Sequence, residues 1–200
     1  MKTGPKYKMC RRFGSVVFEK CQTQKFVMSE GRHKKHGKRP RALSAYGTQL
    51  IEKQKIRFTY NVTEKQFSNY VKQAIAKKGV DSSQKLFESL ESRLDNVVYR
   101  MGFGHTRTLT RQMTSHGHFT VNGTRVTVPS IQVKEGDVIA VRAGSKKSAL
   151  FTDFAKKMKE YNTPDWVSVD AESLSGKVVG KPKQMDLALD FGTVLEFYSR

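Results

Sequence analysis

Leu90-Glu91-Ser92-Arg93-Leu94-Asp95-Asn96-Val97-Val98-Tyr99-Arg100-Met101-Gly102-Phe103-Gly104 is the stretch that decides the fold. Its apolar positions continue a stripe that begins at Leu86 and Phe87 and runs through Leu90, Leu94, Val97 and Val98 to Met101. This spacing predicts one helix from about Ser83 to Met101, ended by Gly102 and Gly104. Thr106 then has the chemistry of an N-cap for a short helix through Ser115. Leu109 and Met113, four apart, form its inward pair, while Arg107 and Arg111, also four apart, share another face. Past Gly117 the period shortens to two. Phe119-Thr120-Val121 and Thr124-Arg125-Val126 flank Asn122-Gly123, a strong hairpin signal. Gly136-Asp137 turns the chain again into Val138-Ile139-Ala140-Val141.

On the N-terminal side, Ser44 caps a predicted helix carrying Tyr46, Leu50 and Ile51. Thr63-Glu64-Lys65-Gln66 is a capping box ahead of Phe67, Tyr70, Val71, Ala74 and Ile75, with Gly79 as the stop. On the C-terminal side, Thr152 to about Tyr161 reads as a helix with Phe154 and Met158 inside. Short strands are expected at Trp166–Val169, Lys177–Val179 and Val194–Tyr198. The fold class is α+β: an extended basic N-terminal arm (1–43), a helical domain (44–90, completed by 143–200) and an inserted helix-helix-β-hairpin module (91–142). Residues 143–200 supply a C-terminal helix and short strands.

Charge narrows the function. The 200 residues carry 37 Lys and Arg against 18 Asp and Glu, a net charge of +19. The first 60 residues hold 16 of the basic and 3 of the acidic groups, a net of +13. The densest run, Arg32-His33-Lys34-Lys35-His36-Gly37-Lys38-Arg39-Pro40-Arg41, lacks apolar periodicity and is broken by Gly and Pro. It reads as an arm that cannot build a core and gains order from a partner. A polyanion, first of all nucleic acid, is the expected partner. No run of about 18 apolar residues exists to make a transmembrane helix. No apolar stretch follows Met1-Lys2-Thr3-Gly4-Pro5, so no secretory signal is expected. Two cysteines are too few for a disulfide scaffold and fit a reducing compartment.

Within 90–142, Arg93, Arg107, Arg111, Gln112, Ser115, His116, Asn122 and Arg125 bring several donors toward one side, with His118 close by. Arg forks match phosphate, and Gln, Ser and Asn reach phosphate, 2′-hydroxyl or base edges. The competing reading is a solvated helix face. Tyr7, Tyr46, Tyr60 and Tyr70 can stack on bases, although packing with the hydroxyl outward is the stronger reading for each.

Residues 91–142 resemble the RNA-binding module named after bacterial small-subunit ribosomal protein four. The run 90–104, Thr106-Arg107-x-x-x-Arg111-Gln112 and Val121-Asn122-Gly123 resemble that ribosomal family itself. The likeness extends along the chain through Gly4-Pro5-Lys6 with Arg11-Arg12, His36-Gly37 and Tyr46-Gly47-x-Gln49-Leu50-x-Glu52-Lys53-Gln54-Lys55. It ends with Pro164-x-Trp166 and Leu195-Glu196-Phe197-Tyr198-Ser199-Arg200. The resemblance implies a ribonucleoprotein constituent that binds a 16S rRNA 5′-domain helix junction early, nucleates assembly of the 30S body and adjoins small-subunit ribosomal protein five. It also implies a part in translational accuracy. The implied rRNA-binding residues are Lys6, Lys8, Arg11, Arg12, Lys34, His36, Tyr46, Gln49, Lys53, Gln54, Lys55 and Arg57. In the module they are Arg93, Thr106, Arg107, Arg111, Gln112, Ser115, His116, Asn122 and Arg125. Lys38, Arg39 and Arg41 are implied to face mRNA at its entrance channel, and the implied location is the cytoplasmic 30S subunit.

Some family members hold zinc with four cysteines. Here only Cys10 and Cys21 exist, ten residues intervene, and His33 and His36 would have to complete the set. That spacing fits no standard finger, so no metal or cofactor is expected and the cysteines read as small residues packed locally. Asp95 after Arg93-Leu94 resembles the catalytic Asp of pseudouridine synthases, which can carry the same module. Its helix setting favours a helix-surface or salt-bridge role, and no room remains for a catalytic domain. A helix-turn-helix DNA regulator around Gly79 is the third reading.

Overall fold

The computed structural model describes residues 4–14, 17–34, 42–76, 81–152, 154–158, 161–183 and 189–199. The chain divides into two compact units, Met1–Leu86 with Met185–Arg200, and Phe87–Gln184.

In the first unit, helix α1 (Lys6–Phe13) ends where Gly14 adopts φ 99° and its N–H reaches the Cys10 carbonyl at 2.8 Å. That left-handed residue turns the chain back cheaply because glycine has no Cβ. A 3-10 turn (Glu19–Gln22) and α2 (Gln24–Lys34) follow. Cys10, Phe13, Val17, Phe18, Cys21 and Phe26 form a buried cluster with Phe58 of α3 (Ala45–Thr59). Burying each such aromatic stabilises the fold by about 1.5–3 kcal/mol. The expectation of an extended arm is therefore corrected over residues 5–14 and 17–34. Its apolar residues are too widely spaced for one helix to display, yet three short elements bring them together. Cys10 and Cys21 are also corrected: they form a disulfide, with Cα atoms 6.4 Å apart. The basic run's 35–41 portion lies outside the described residues.

Ser44 caps α3, its Oγ accepting from the Gly47 N–H at 3.2 Å. Thr63 and Gln66 form the capping box at the start of α4 (Glu64–Ala76), with reciprocal 3.4 Å bonds. Gly79 lies outside the described residues. The expected strand Val194–Tyr198 is instead part of helix α9 (Phe191–Ser199), which packs on α3 and α4. Asp190 sets the helix start: its carboxylate accepts from the Thr193 N–H at 3.0 Å and hydroxyl at 2.6 Å. Phe191 and Val194 then turn inward.

The long helix predicted from Ser83 to Met101 is two helices, α5 (Ser82–Glu91) and α6 (Leu94–Arg100). Arg93 leaves the helical path to bridge Gln132 in antiparallel fashion. The Leu94 N–H reaches the Ile131 carbonyl at 2.9 Å, and the Val133 N–H reaches Ser92 at 2.8 Å. Thr106 caps α7 (Arg107–Ser115). Strands β1 (Phe119–Val121), β2 (Thr124–Val126), β3 (Val138–Val141), β4 (Val167–Asp170) and β5 (Ser175–Val178) form an antiparallel sheet in the order β2-β1-β3-β5-β4. Asn122 and Gly123 have φ 49° and 82°, the double positive turn that matches strand twist.

The core beneath the sheet contains Leu94, Val97, Val98, Met101, Met113, Phe119, Ile139, Val141, Val167 and Val178. Phe103 stacks on Phe154 of α8 (Phe154–Met158) with ring centroids 4.5 Å apart. A Cβ on Gly176 would lie 2.9 Å from Met101, so this glycine admits the helix side chain against β5. Because β5 pairs with β3 and β4 pairs with β5, these two strands extend the module's sheet. This corrects their assignment to the helical domain, to which α9 returns. No helix among the described residues is long and apolar enough to cross a membrane.

Candidate nucleic-acid interface

The second unit is organised around carboxylates buried at the α6 end of the break. Arg93 Nε donates to Asp95 Oδ1 at 3.1 Å and its Nη2 to Oδ2 at 2.8 Å. Arg93 is fully buried, so its assignment as an RNA contact is corrected to an internal fork. Glu91, also buried, accepts from Arg100 at 2.8 and 2.7 Å and from Asn96 Nδ2 at 2.8 Å. Arg107 donates to Asn96 Oδ1 at 2.7 Å and lies over the Tyr99 ring, 4.4 Å from its centroid. Arg111 Nη1 sits 3.8 Å from Asp95. Arg107 and Arg111 do share a face, but that face fastens α7 to α6 and leaves only 15% and 23% of their side chains exposed. The Asp95 carboxylate is enclosed by arginines, which gives it the ion-pair role and no open path to a substrate.

Outside this knot the polar side of α7 continues onto the sheet. Gln112, Ser115, His116 and Arg125 are exposed. Thr106 and Asn122 serve the fold first: Thr106 caps Leu109, and Asn122 donates to Asp137 at 2.8 Å and accepts from the Val138 N–H at 2.9 Å. Arg125 crosses Gly117, whose φ is 73°, and donates to the His116 carbonyl at 3.4 Å. His118 Nδ1 meets Ser145 Oγ at 3.0 Å. Burial holds the His118 imidazole below its ordinary value of 6.5, and the charges of His116, Arg142 and Arg125 depress it further. The sequence reading placed His118 close by the candidate site and did not single out Arg142. The register Phe119↔Val141 was the signal that would have joined them, since it sets the Arg142 N–H on the His118 carbonyl at 2.8 Å.

In the first unit, Lys8, Arg11 and Arg12 are exposed on α1 and Lys6 is half-buried. Lys6 lies over the Phe18 ring, Arg12 over Phe13, and Arg11 donates to Ser29 at 3.1 Å. The α3 candidates divide. Tyr46 is exposed. Gln49 and Lys53 are buried, and their assignment as RNA contacts is corrected: Gln49 donates to Glu196 at 3.3 Å and Lys53 to Glu64 at 2.7 Å. They line the seam that α9 closes. Arg57 also faces Glu64 at 3.4 Å, and Lys55 pairs with Glu52 at 3.3 Å. Gln54 is half-buried with its Oε1 enclosed and unpartnered among the described residues. Burial would raise Glu64, but hydrogen bonds from Lys53 and Tyr198, with the charges of Lys53 and Arg57, hold its carboxyl below 4.5. The same contact, together with burial, pushes the Tyr198 hydroxyl well above its usual range.

The Lys34 and His33 side chains and all of His36, Lys38, Arg39 and Arg41 lie outside the described residues. Among the described residues no group of three His, Cys, Asp or Glu stands together to hold a metal ion.

Known proteins resemble this chain from end to end. Residues 1–91 match the ribosomal protein S4/S9 N-terminal domain and residues 92–139 match the S4 domain. The small ribosomal subunit protein uS4 of Acetivibrio thermocellus is 43% identical over 99% of this chain and 98% of its own length. That of Chromobacterium violaceum is 44% identical over 98% of both. That of Ectopseudomonas mendocina is 45% identical over 98% of both. With a buried ion-pair knot, an S4 module bearing an exposed basic edge and relatives matched over nearly every residue, this chain belongs to the uS4 family of ribosomal proteins.

Proposed function

We propose that the chain is a structural constituent of the small ribosomal subunit in the cytoplasm and a primary binder of 16S rRNA. It recognises a helix junction in the 5′ domain and nucleates assembly of the 30S body. It adjoins small-subunit ribosomal protein five, contributes to translational accuracy and lines the mRNA entrance with Lys38, Arg39 and Arg41. The full-length likeness to uS4 proteins carries this reading.

The chemistry supports it. The buried Asp95 and Glu91 carboxylates are neutralised internally by Arg93 and Arg100, and the half-buried Glu64 by Lys53, while Lys8, Arg11, Arg12, Gln112 and Arg125 remain at the surface. A surface of this kind binds by displacing counterions from phosphates, so its affinity falls with salt. Junction RNA offers shape, backbone and unstacked bases, which suit spread donors better than a pocket. Rigidity is what the internal pairs contribute: α7 is pinned before RNA arrives, so less conformational freedom is lost on binding.

The test is binding of the full chain to a 16S rRNA 5′-domain fragment against an unrelated structured RNA of equal length, with magnesium and elevated salt. Selective binding to the fragment is expected. Equal, salt-erased binding to both RNAs overturns the proposal.

A further inference from the structure

The seam between α1 and α3 is only partly closed. Phe13 and Phe58 meet across it with ring centroids 5.5 Å apart, and Met9 and Ile51 rest on the same apolar cluster. Beside this contact Met9, Phe13, Leu50, Ile51 and Phe58 line a groove of about 410 Å³. Small-ligand sites typically enclose ~300–1,000 Å³. Gly4 and Pro5 line the groove as well and are too small to fill it.

The charged groups of the groove are of one sign. Lys8 and Arg12, four apart on α1, share a helix face and both border it, and no acidic residue lines it. Among the described residues neither makes an ion pair, in contrast to Lys53, Lys55 and Arg57 of α3. Arg12 lies over the Phe13 ring, 5.5 Å from its centroid, so its charge stands beside the aromatic wall. Gln54 lines the groove too, and its Oε1 is enclosed with no hydrogen-bond partner among the described residues. An enclosed acceptor left unpaired is costly. The last torsion of a glutamine is soft, so this amide can turn to meet a donor in the groove.

Each feature restricts the ligand. Aromatic and thioether walls favour a flat ring. Two uncommitted cations favour an anion at one end and repel a cation. The unpaired amide oxygen favours a donor on the ring. We propose that the groove between α1 and α3 binds a small aromatic carboxylate bearing a ring N–H. The carboxylate meets Lys8 and Arg12, the ring packs on Phe13, Ile51 and Phe58, and the N–H donates to Gln54 Oε1. This site is independent of the proposed RNA binding, and its test uses no RNA.

The probe is indole-3-acetate, titrated into the full-length protein and followed by NMR of the Met9 and Ile51 methyl groups. A dissociation constant on the order of 1 mM or tighter is expected for a ligand of this size. Indole-3-acetamide, of the same shape without the charge, should bind about fivefold more weakly, and tryptamine, which carries an ammonium, more weakly still. Arg12→Gln should weaken indole-3-acetate about threefold and leave the acetamide unaffected. Gln54→Leu should weaken indole-3-acetate about fivefold and spare benzothiophene-3-acetate, which lacks the N–H.

Thermal melts verify that both variants are folded; Arg12 is exposed, so its variant decides even where Gln54→Leu is unstable. Unmoved methyl signals at indole-3-acetate concentrations well above the expected constant overturn the site. Equal affinity for acetate and acetamide, or an Arg12→Gln protein that binds as the parent does, overturns the carboxylate assignment. A folded Gln54→Leu protein that binds both acetates as the parent does overturns the N–H assignment.

Discussion

Arg93 and Asp95, two residues apart in sequence, face each other through two hydrogen bonds of 3.1 and 2.8 Å in a site closed to solvent. The pair lies where the apolar stripe would otherwise carry one helix straight through. Removing one partner strands a buried charge. Arg93→Met is expected to destabilise by about 3–5 kcal/mol, read from the denaturant midpoint of unfolding. Adding Asp95→Leu should recover most of that loss, because both members of the buried pair are then gone. A single variant as stable as the parent would show that the fork contributes nothing.

Arg107, Arg111 and Arg125 separate stability from binding. Arg107→Ala removes a bond to Asn96 and a cation from Tyr99, and is expected to cost about 1–3 kcal/mol. Arg111→Ala leaves Asp95 held by Arg93 and should cost less. Arg125→Ala removes no buried contact between charges, so stability should stay within about 0.5 kcal/mol while RNA affinity drops severalfold. Paired thermal melts and RNA titrations of the three variants check this order.

Acid should weaken the fold in two steps. The folded His118 value lies below 6.5, so the unfolded chain binds more protons and stability falls as the pH drops from about 6.5 toward the folded value. The Glu64 and Asp190 carboxyls are depressed, so their contribution is present above their ordinary values of 4.5 and 3.8 and is lost as the pH falls through the folded ones. His118→Gln should erase the upper step, and Glu64→Gln should shrink the lower one. A pH series of denaturation midpoints measures both.

The disulfide closes an 11-residue separation and ties α1 to the following turn. Reduction, or Cys10→Ser with Cys21→Ser, is expected to lower stability by about 2–3 kcal/mol. Melting the oxidised protein with and without a thiol reductant tests it, and identical curves would count against the bond. In a reducing cytoplasm the thiol form is favoured, so the Phe13, Phe18, Phe26 and Phe58 cluster then has to hold α1 and α2 alone.

Deleting residues 1–34 removes every partner of Phe58 in that cluster except those in α3. The truncated chain is expected to lose cooperative unfolding of the helical unit while the sheet unit still melts as a two-state domain. Circular dichroism during heating, with tyrosine and tryptophan signals compared, resolves the two; a single sharp transition for the whole truncated chain would reject it.

Local chemistry was legible in the sequence, and tertiary competition was not. Ser44, the Thr63–Gln66 box, Thr106 and the Asn122-Gly123 turn act within a few residues of themselves, so their roles could be read directly. The break at Ser92 could not, because the bonds that hold it join Ser92 to Val133, 41 positions on, and Leu94 to Ile131, 37 positions on. Val194–Tyr198 has strand-like composition, yet Asp190 and the waiting surface of α3 make it helical. Arginine type does not reveal whether a fork meets phosphate or an internal acid. Arg93, Gln49 and Lys53 were therefore placed outside when they belong within, and the link of Arg142 to His118 became visible only through strand register.

The position of α9 has a bearing on biosynthesis. Gln49 of α3 must wait for Glu196, 147 residues further along, before its buried amide is paired. The sheet unit ends by Gln184, so all its strands have been translated before α9 emerges. On a growing chain, the later-encoded unit is thus free to fold first, while the earlier-encoded one keeps an open apolar seam until α9 has emerged. The codons of α9 then decide whether the beginning of the nascent protein is safe from aggregation.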